Sequence, residues 1–139
     1  MKRLFAVLLL ILFLFSLAGC NGFSVKYDDA ATLNFHGLND DPTQVVQLLT
    51  EEETRKVKDY LSDAKYDPNI GPGGCYFKEN IFISFGEQVF WVSLDDCPTI
   101  WYQGNRNGYV LSEEGKDYID SLFEKYVGYF PFPENESVK

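Results

Sequence analysis

Histidine is nearly missing from this chain: His36 is the only one among 139 residues. A Ser-His-Asp or Cys-His set would have to be built on that residue, and no Gly-x-Ser-x-Gly nucleophile motif accompanies it. Positive charge is also scarce, with 12 Lys and Arg against 21 Asp and Glu and a formal net charge of −9. Without a lysine and arginine cluster there is no footprint to neutralise a phosphate backbone, which excludes nucleic acid as an expected partner. Cysteine occurs three times without a C-x-x-C spacing and histidine once, so a zinc site is poorly supported, and neither metal nor cofactor is expected. Internal repeats are lacking.

Long apolar runs are confined to the start. Met1-Lys2-Arg3 lead into an apolar run from Leu4 to Leu17, which closes in Leu17-Ala18-Gly19-Cys20. A basic start, a short apolar stretch and small residues before a cut site are the pattern of a secretory signal peptide. An uncleaved membrane span is the competing reading, but a span needs roughly 18 to 20 apolar residues. Here the run ends in Ala18 and Gly19 and turns polar at Asn21.

Leu17-Ala18-Gly19-Cys20 resembles the lipobox of bacterial lipoproteins. The resemblance covers the first twenty residues only. It implies that residues 1–19 are removed and that the Cys20 thiol carries diacylglycerol, usually joined by an N-acyl chain. Two or three chains hold stably where one holds only marginally. The chain is therefore expected outside the cytoplasm, with the membrane as a partner through its lipid. In a host with two membranes, Asn21 in place of aspartate after the cysteine implies sorting to the outer one. Residues 20–31 read as a tether, reaching roughly 15 to 20 Å, ahead of a single domain over 32–132 and a flexible acidic tail over 133–139.

With Cys20 assigned to lipid, Cys75 and Cys97 remain, and an oxidising compartment allows them one intramolecular pairing. A reactive thiol, a metal pair and reduced structural cysteines are the alternatives.

Aromatic residues make up 17% of the chain, enough to point to a sheet-containing globular domain. Strands are predicted at Thr32 to Gly37, Gln44 to Leu49, Tyr76 to Phe85, Gln88 to Leu94, Thr99 to Tyr102 and Tyr109 to Leu111. Gly86-Glu87 fits a two-residue hairpin turn, and Gln103 to Gly108 a longer polar one. Thr50-Glu51-Glu52-Glu53 is a capping box that should start a helix ending before Asp67-Pro68. Its apolar face carries Val57, Tyr60, Leu61 and Ala64. Ser112 should cap a second helix, ending near Gly128, with a stripe of Tyr118, Ile119, Leu122, Phe123, Tyr126 and Val127. The order predicts an α+β fold: an antiparallel sheet of about four to six strands with two amphipathic helices packed on one face.

Trp91, Trp101, Tyr102 and Tyr109 are the candidate binding surface, with Trp91 and Tyr102 candidates for the sheet's second face; packing in the core is the default reading for all four. The Gly71-Pro72-Gly73-Gly74 loop lacks the Lys-Ser/Thr of a phosphate cradle and reads as a turn into Cys75. Carboxylate pairs at Asp28-Asp29, Asp40-Asp41, Asp95-Asp96 and Glu113-Glu114 read as solvated turn and cap charges. Three functions follow as expectations. The favoured one is a non-enzymatic, lipid-anchored module of the cell envelope that binds a protein or polymer through the sheet face and the Gly-rich loop. The others are a small hydrolase or metal-dependent enzyme using His36 with nearby carboxylates, and a structural or accessory subunit.

Overall fold

The computed structural model describes residues 25, 30–37, 42–71 and 74–128. The expected signal peptide, Cys20, most of the expected tether, Asp28-Asp29, Asp40-Asp41, Pro72-Gly73 and the acidic tail lie outside the described residues.

Along the chain run β1 (Ala31–His36), β2 (Gln44–Leu48), α1 (Glu51–Asp63), β3 (Lys65–Tyr66), β4 (Phe77–Phe85), β5 (Gln88–Ser93), β6 (Thr99–Tyr102), β7 (Asn107–Val110) and α2 (Glu113–Val127). The strands form one antiparallel sheet in the order β2-β1-β4-β5-β6-β7-β3. The fold is α+β, as predicted. Its sheet has seven strands, which corrects the expected four to six.

The added strand is β3. At Ala64 the backbone turns extended (φ −65°, ψ 138°), so α1 stops short of Asp67, and Lys65 and Tyr66 pair with Val110 and Tyr109. Two residues are too few to leave an alternating pattern. Their conformation comes from the open edge of β7, whose backbone groups need partners.

Period-two alternation builds the core. Ala31, Leu33 and Phe35 of β1 are buried, as are Ile81, Ile83 and Phe85 of β4 and Phe90 and Val92 of β5. Register keeps them on one side: Leu33 sits opposite Ile83, and Ile83 opposite Phe90. Val57 and Leu61 of α1 and Ile119, Leu122 and Phe123 of α2 belong to the same buried cluster. So does Val25, 3% exposed, from the stretch expected as a tether.

Both helix starts behave as their sequences predict. The Glu53 amide donates to Thr50 Oγ1 at 3.3 Å, and the Thr50 amide donates to Glu53 Oε2 at 2.9 Å. At α2 the Gly115 amide donates to Ser112 Oγ at 3.1 Å, and Gly128 closes the helix. The β4–β5 hairpin turns through Gly86 at φ 56°, a conformation that suits glycine, with Phe85 facing Gln88.

Candidate binding surface

Residues that alternate with the core positions point to the opposite side of the sheet, and register sets them side by side. Val46 of β2 faces Asn34 of β1, Asn34 faces Phe82 of β4, Phe82 faces Trp91 of β5, Trp91 faces Trp101 of β6, and Trp101 faces Gly108 of β7. This row crosses six strands at right angles. At about 4.8 Å between neighbouring strands, it extends about 24 Å. Trp91, Trp101 and Phe82 are partly exposed. Val46 and Leu48, at the β2 end, are 65% and 61% exposed. A register shift in β4 between Phe77 and Phe82 brings the Phe77 ring to 6.5 Å from the Trp101 ring.

At its other end the row is capped by Ile70. A Cβ on Gly108 would lie 2.2 Å from Ile70 Cγ2 and 3.1 Å from the Ile70 carbonyl oxygen, so only glycine lets that loop lie against β7. The Asp67 amide donates to the Gly108 carbonyl at 3.2 Å and fixes the same loop.

Of the four aromatic residues that are candidates for a surface, the structure brings together Trp91 and Trp101 on the face away from the core. Tyr102 and Tyr109 lie on the core side. Tyr109 is fully buried, and its hydroxyl accepts from Asn105 Nδ2 at 2.6 Å. Tyr102 stacks on Phe90 with ring centroids 4.8 Å apart, and its hydroxyl accepts from Gln88 Nε2 at 3.3 Å. The placement of Tyr102 corrects the expectation for the second face. Successive residues of a strand point to opposite sides, so Trp101 and Tyr102 cannot share one. Sequence reasoning missed Phe82. Its signal is an aromatic ring out of phase with Ile81, Ile83 and Phe85, at a position that alternation assigns to solvent.

Beside the row, at the β2–β1–β4 end, lies an open cavity of about 210 Å³ whose lining includes Asn34, His36, Gln44, Val46, Asn80 and Phe82. Asn80 Nδ2 donates to the His36 carbonyl at 3.0 Å. None of these lining residues is a carboxylate, so the acid that an enzyme using His36 would need does not come from them.

The carboxylate pairs that are described separate. Asp95 turns inward and accepts hydrogen bonds from the Tyr76 amide at 3.0 Å, the Cys97 amide at 3.2 Å and the Ser93 hydroxyl. Burial by itself would raise its pKa, but these donors outweigh burial and hold it below the ordinary aspartate value. Cys75 and Cys97 form a disulfide with their Cα atoms 6.0 Å apart. Asp95 therefore binds the backbone on both arms of the bridge. Cys75, Asp95 and Cys97 are the one group of three ligand-type residues gathered within 4.8 Å among the described residues, and the two sulfurs in it are bonded to each other.

Asp96 instead lines an open acidic cavity of about 410 Å³ with Pro98, Glu113, Lys116, Asp117 and Asp120. Its Lys116–Asp120 ion pair is largely buried. Burial raises the Asp120 pKa despite the ammonium beside it. Among the described residues, no helix is long and apolar enough to cross a membrane. Compared with known proteins, the chain matches no family model, no curated protein and no solved structure.

Proposed function

We propose that the chain is a lipid-anchored, extracytoplasmic binding module of the cell envelope, held to the membrane through Cys20, with both helices packed on one face of the sheet and the other face left for a partner. One observation carries this reading: Trp91 and Trp101 are cross-strand neighbours on the face away from the core, and with Phe82 beside Trp91 they form a run of three partly exposed aromatic side chains. Aromatic residues dominate the energetics of recognition surfaces, and an apolar strip of this extent is uncommon on a chain that meets only water. The exposed Val46 and Leu48 lengthen the strip toward the sheet edge.

The two parts of the proposal separate experimentally. Fatty-acid labelling in cells is expected to mark the wild-type chain and to vanish in Cys20→Ala; label that persists in that variant overturns the anchor. Binding is tested by cosedimentation of the full chain with a detergent-extracted envelope fraction. Trp91→Ala and Trp101→Ala are expected to lose retention, whereas Glu114→Ala, on the exposed first turn of α2, keeps it. Equal retention of all the variants overturns the assignment of the binding face.

A further inference from the structure

We infer that the row from Val46 to Trp101, together with the amide-lined cavity beside it, is a binding strip for an uncharged, unbranched polysaccharide of β-linked pyranoses. The inference rests on the proposed binding face and names its ligand class.

Three features argue for this ligand. The first is pitch. The row crosses the strands at right angles, so its side chains recur about every 4.8 Å, a spacing comparable to the length of one pyranose unit. A chain lying along the row would set consecutive sugars over Phe82, Trp91 and Trp101, and the apolar C–H faces of pyranoses pack against flat rings of this kind.

The second is charge. Neither the row nor the cavity lining contains Asp, Glu, Lys or Arg, in a chain whose net charge is −9. An anionic ligand finds no cation there, and a cationic one is drawn to the acidic cavity around Asp96, Glu113 and Asp117. A neutral strip suits a neutral ligand.

The third is hydrogen bonding. Asn34 Nδ2 donates to the Thr32 carbonyl at 3.3 Å and to Ser84 Oγ at 3.5 Å, and Asn80 Nδ2 to the His36 carbonyl, but the Oδ1 atoms of both, the side-chain amide of Gln44 and the His36 imidazole make no hydrogen bond among the described residues. An apolar protein surface closing over this cavity would strip these groups of water without replacing it. Hydroxyl and acetamido groups can both donate to them and accept from them. Aromatic rings beside side chains with unused hydrogen-bonding atoms thus favour a sugar chain over a dry protein partner.

Both tryptophans of the chain lie in the row, so intrinsic emission reports on it directly. The full chain in detergent is titrated with cellohexaose and, separately, with chitohexaose, with a sulfated hexasaccharide as the charged control. A saturable emission change is expected with at least one neutral hexasaccharide and none with the sulfated one. By calorimetry, Trp101→Ala is expected to weaken binding by about tenfold or more. Asn80→Ala, at the cavity rim, tests the same strip without removing a ring and is expected to weaken binding severalfold. Each variant is compared after its far-ultraviolet circular dichroism has matched the wild type. The inference is overturned if neither neutral hexasaccharide binds at millimolar concentration, or if both variants bind as the wild type does. Tryptophan-dependent retention on the envelope fraction without oligosaccharide binding sinks the sugar assignment and leaves the binding face standing. Loss of both removes the two together.

Discussion

The Tyr126 hydroxyl lies 2.9 Å from one carboxylate oxygen of Glu53 and 3.0 Å from the other, joining the last turn of α2 to the first turn of α1. The same carboxylate accepts from the Thr50 amide at 2.9 Å and from Lys125 Nζ at 2.8 Å. One side chain thus completes a capping box and ties two helices whose sequences lie far apart. It also occupies the positive end of the α1 dipole, which favours its ionised form.

Stability should therefore depend on Glu53 at low pH. Burial alone would raise its pKa, but Lys125, Thr50 and Tyr126 outweigh burial and bring it from the ordinary 4.5 to about 2. A carboxyl depressed in the folded state stabilises fully above its unfolded value, and that contribution is lost as pH falls from about 4.5 toward 2. Allowing for the exposed Lys125, the contribution is about 2 kcal/mol. Glu53→Gln is expected to be less stable by about that amount at neutral pH, with the difference shrinking in urea melts at successively lower pH. A difference that stays constant down to strong acid contradicts the assignment.

Reduction of the Cys75–Cys97 bridge should lower the melting temperature by about 10 °C or more, from a loss of about 3 kcal/mol for a crosslink of this span. Asp95→Ala should cost about 1 to 3 kcal/mol in the oxidised chain, since the amides of Tyr76 and Cys97 lose their acceptor. Because Asp95 holds both arms of the bridge, its substitution should cost less once Cys75→Ser is in place. Calorimetric melts of the two single variants and the double variant measure the coupling, and strict additivity would mean that bridge and carboxylate act independently.

Sequence pattern carries far in this fold where signals are local, and stops where pairing partners decide. The capping box at Thr50, the cap at Ser112 and the turn at Gly86 are contained within a few residues, and each forms as its residues dictate. β3 has no such signal, because Lys65 and Tyr66 are extended only through their pairing with β7. The same limit applies to the site. Alternation places Trp91 on the side away from Phe90 and Val92, but that Trp101 is its neighbour depends on the β5–β6 register. The burial of Tyr109 follows from that register continued into β7, where Tyr109 faces Ile100. A list of aromatic residues could not separate the two that face outward from the two that pack inward.

That separation predicts opposite outcomes for neighbouring residues. Tyr109→Ala should cost about 3 to 5 kcal/mol, because it empties a fully buried site that also touches the Tyr66 ring. Tyr109→Phe should cost about 1 kcal/mol, the value of the bond from Asn105. Trp101→Ala, which removes a partly exposed ring, should cost about 1 to 2 kcal/mol and leave the chain folded. Urea unfolding of the three variants checks the order, and a Trp101→Ala loss as large as that of Tyr109→Ala would place Trp101 in the core.

Gly108 sets the most specific steric test. A methyl group there meets the Cγ2, Cβ and carbonyl oxygen of Ile70, and the carbonyl is backbone, which cannot rotate aside. The Asp67 amide, bonded to the Gly108 carbonyl, resists movement of the same loop. Gly108→Ala should therefore cost about 1 to 3 kcal/mol, in the range for overpacking a filled site. Ile70→Gly removes the two side-chain contacts and leaves only the carbonyl, so in that background the alanine should cost less, with a coupling of about 1 kcal/mol. Equilibrium melts of the wild type, both single variants and the double variant close the cycle. A coupling near zero would show that the loop swings away from β7 rather than resting on it, which would uncover the sixth position of the row, at Gly108.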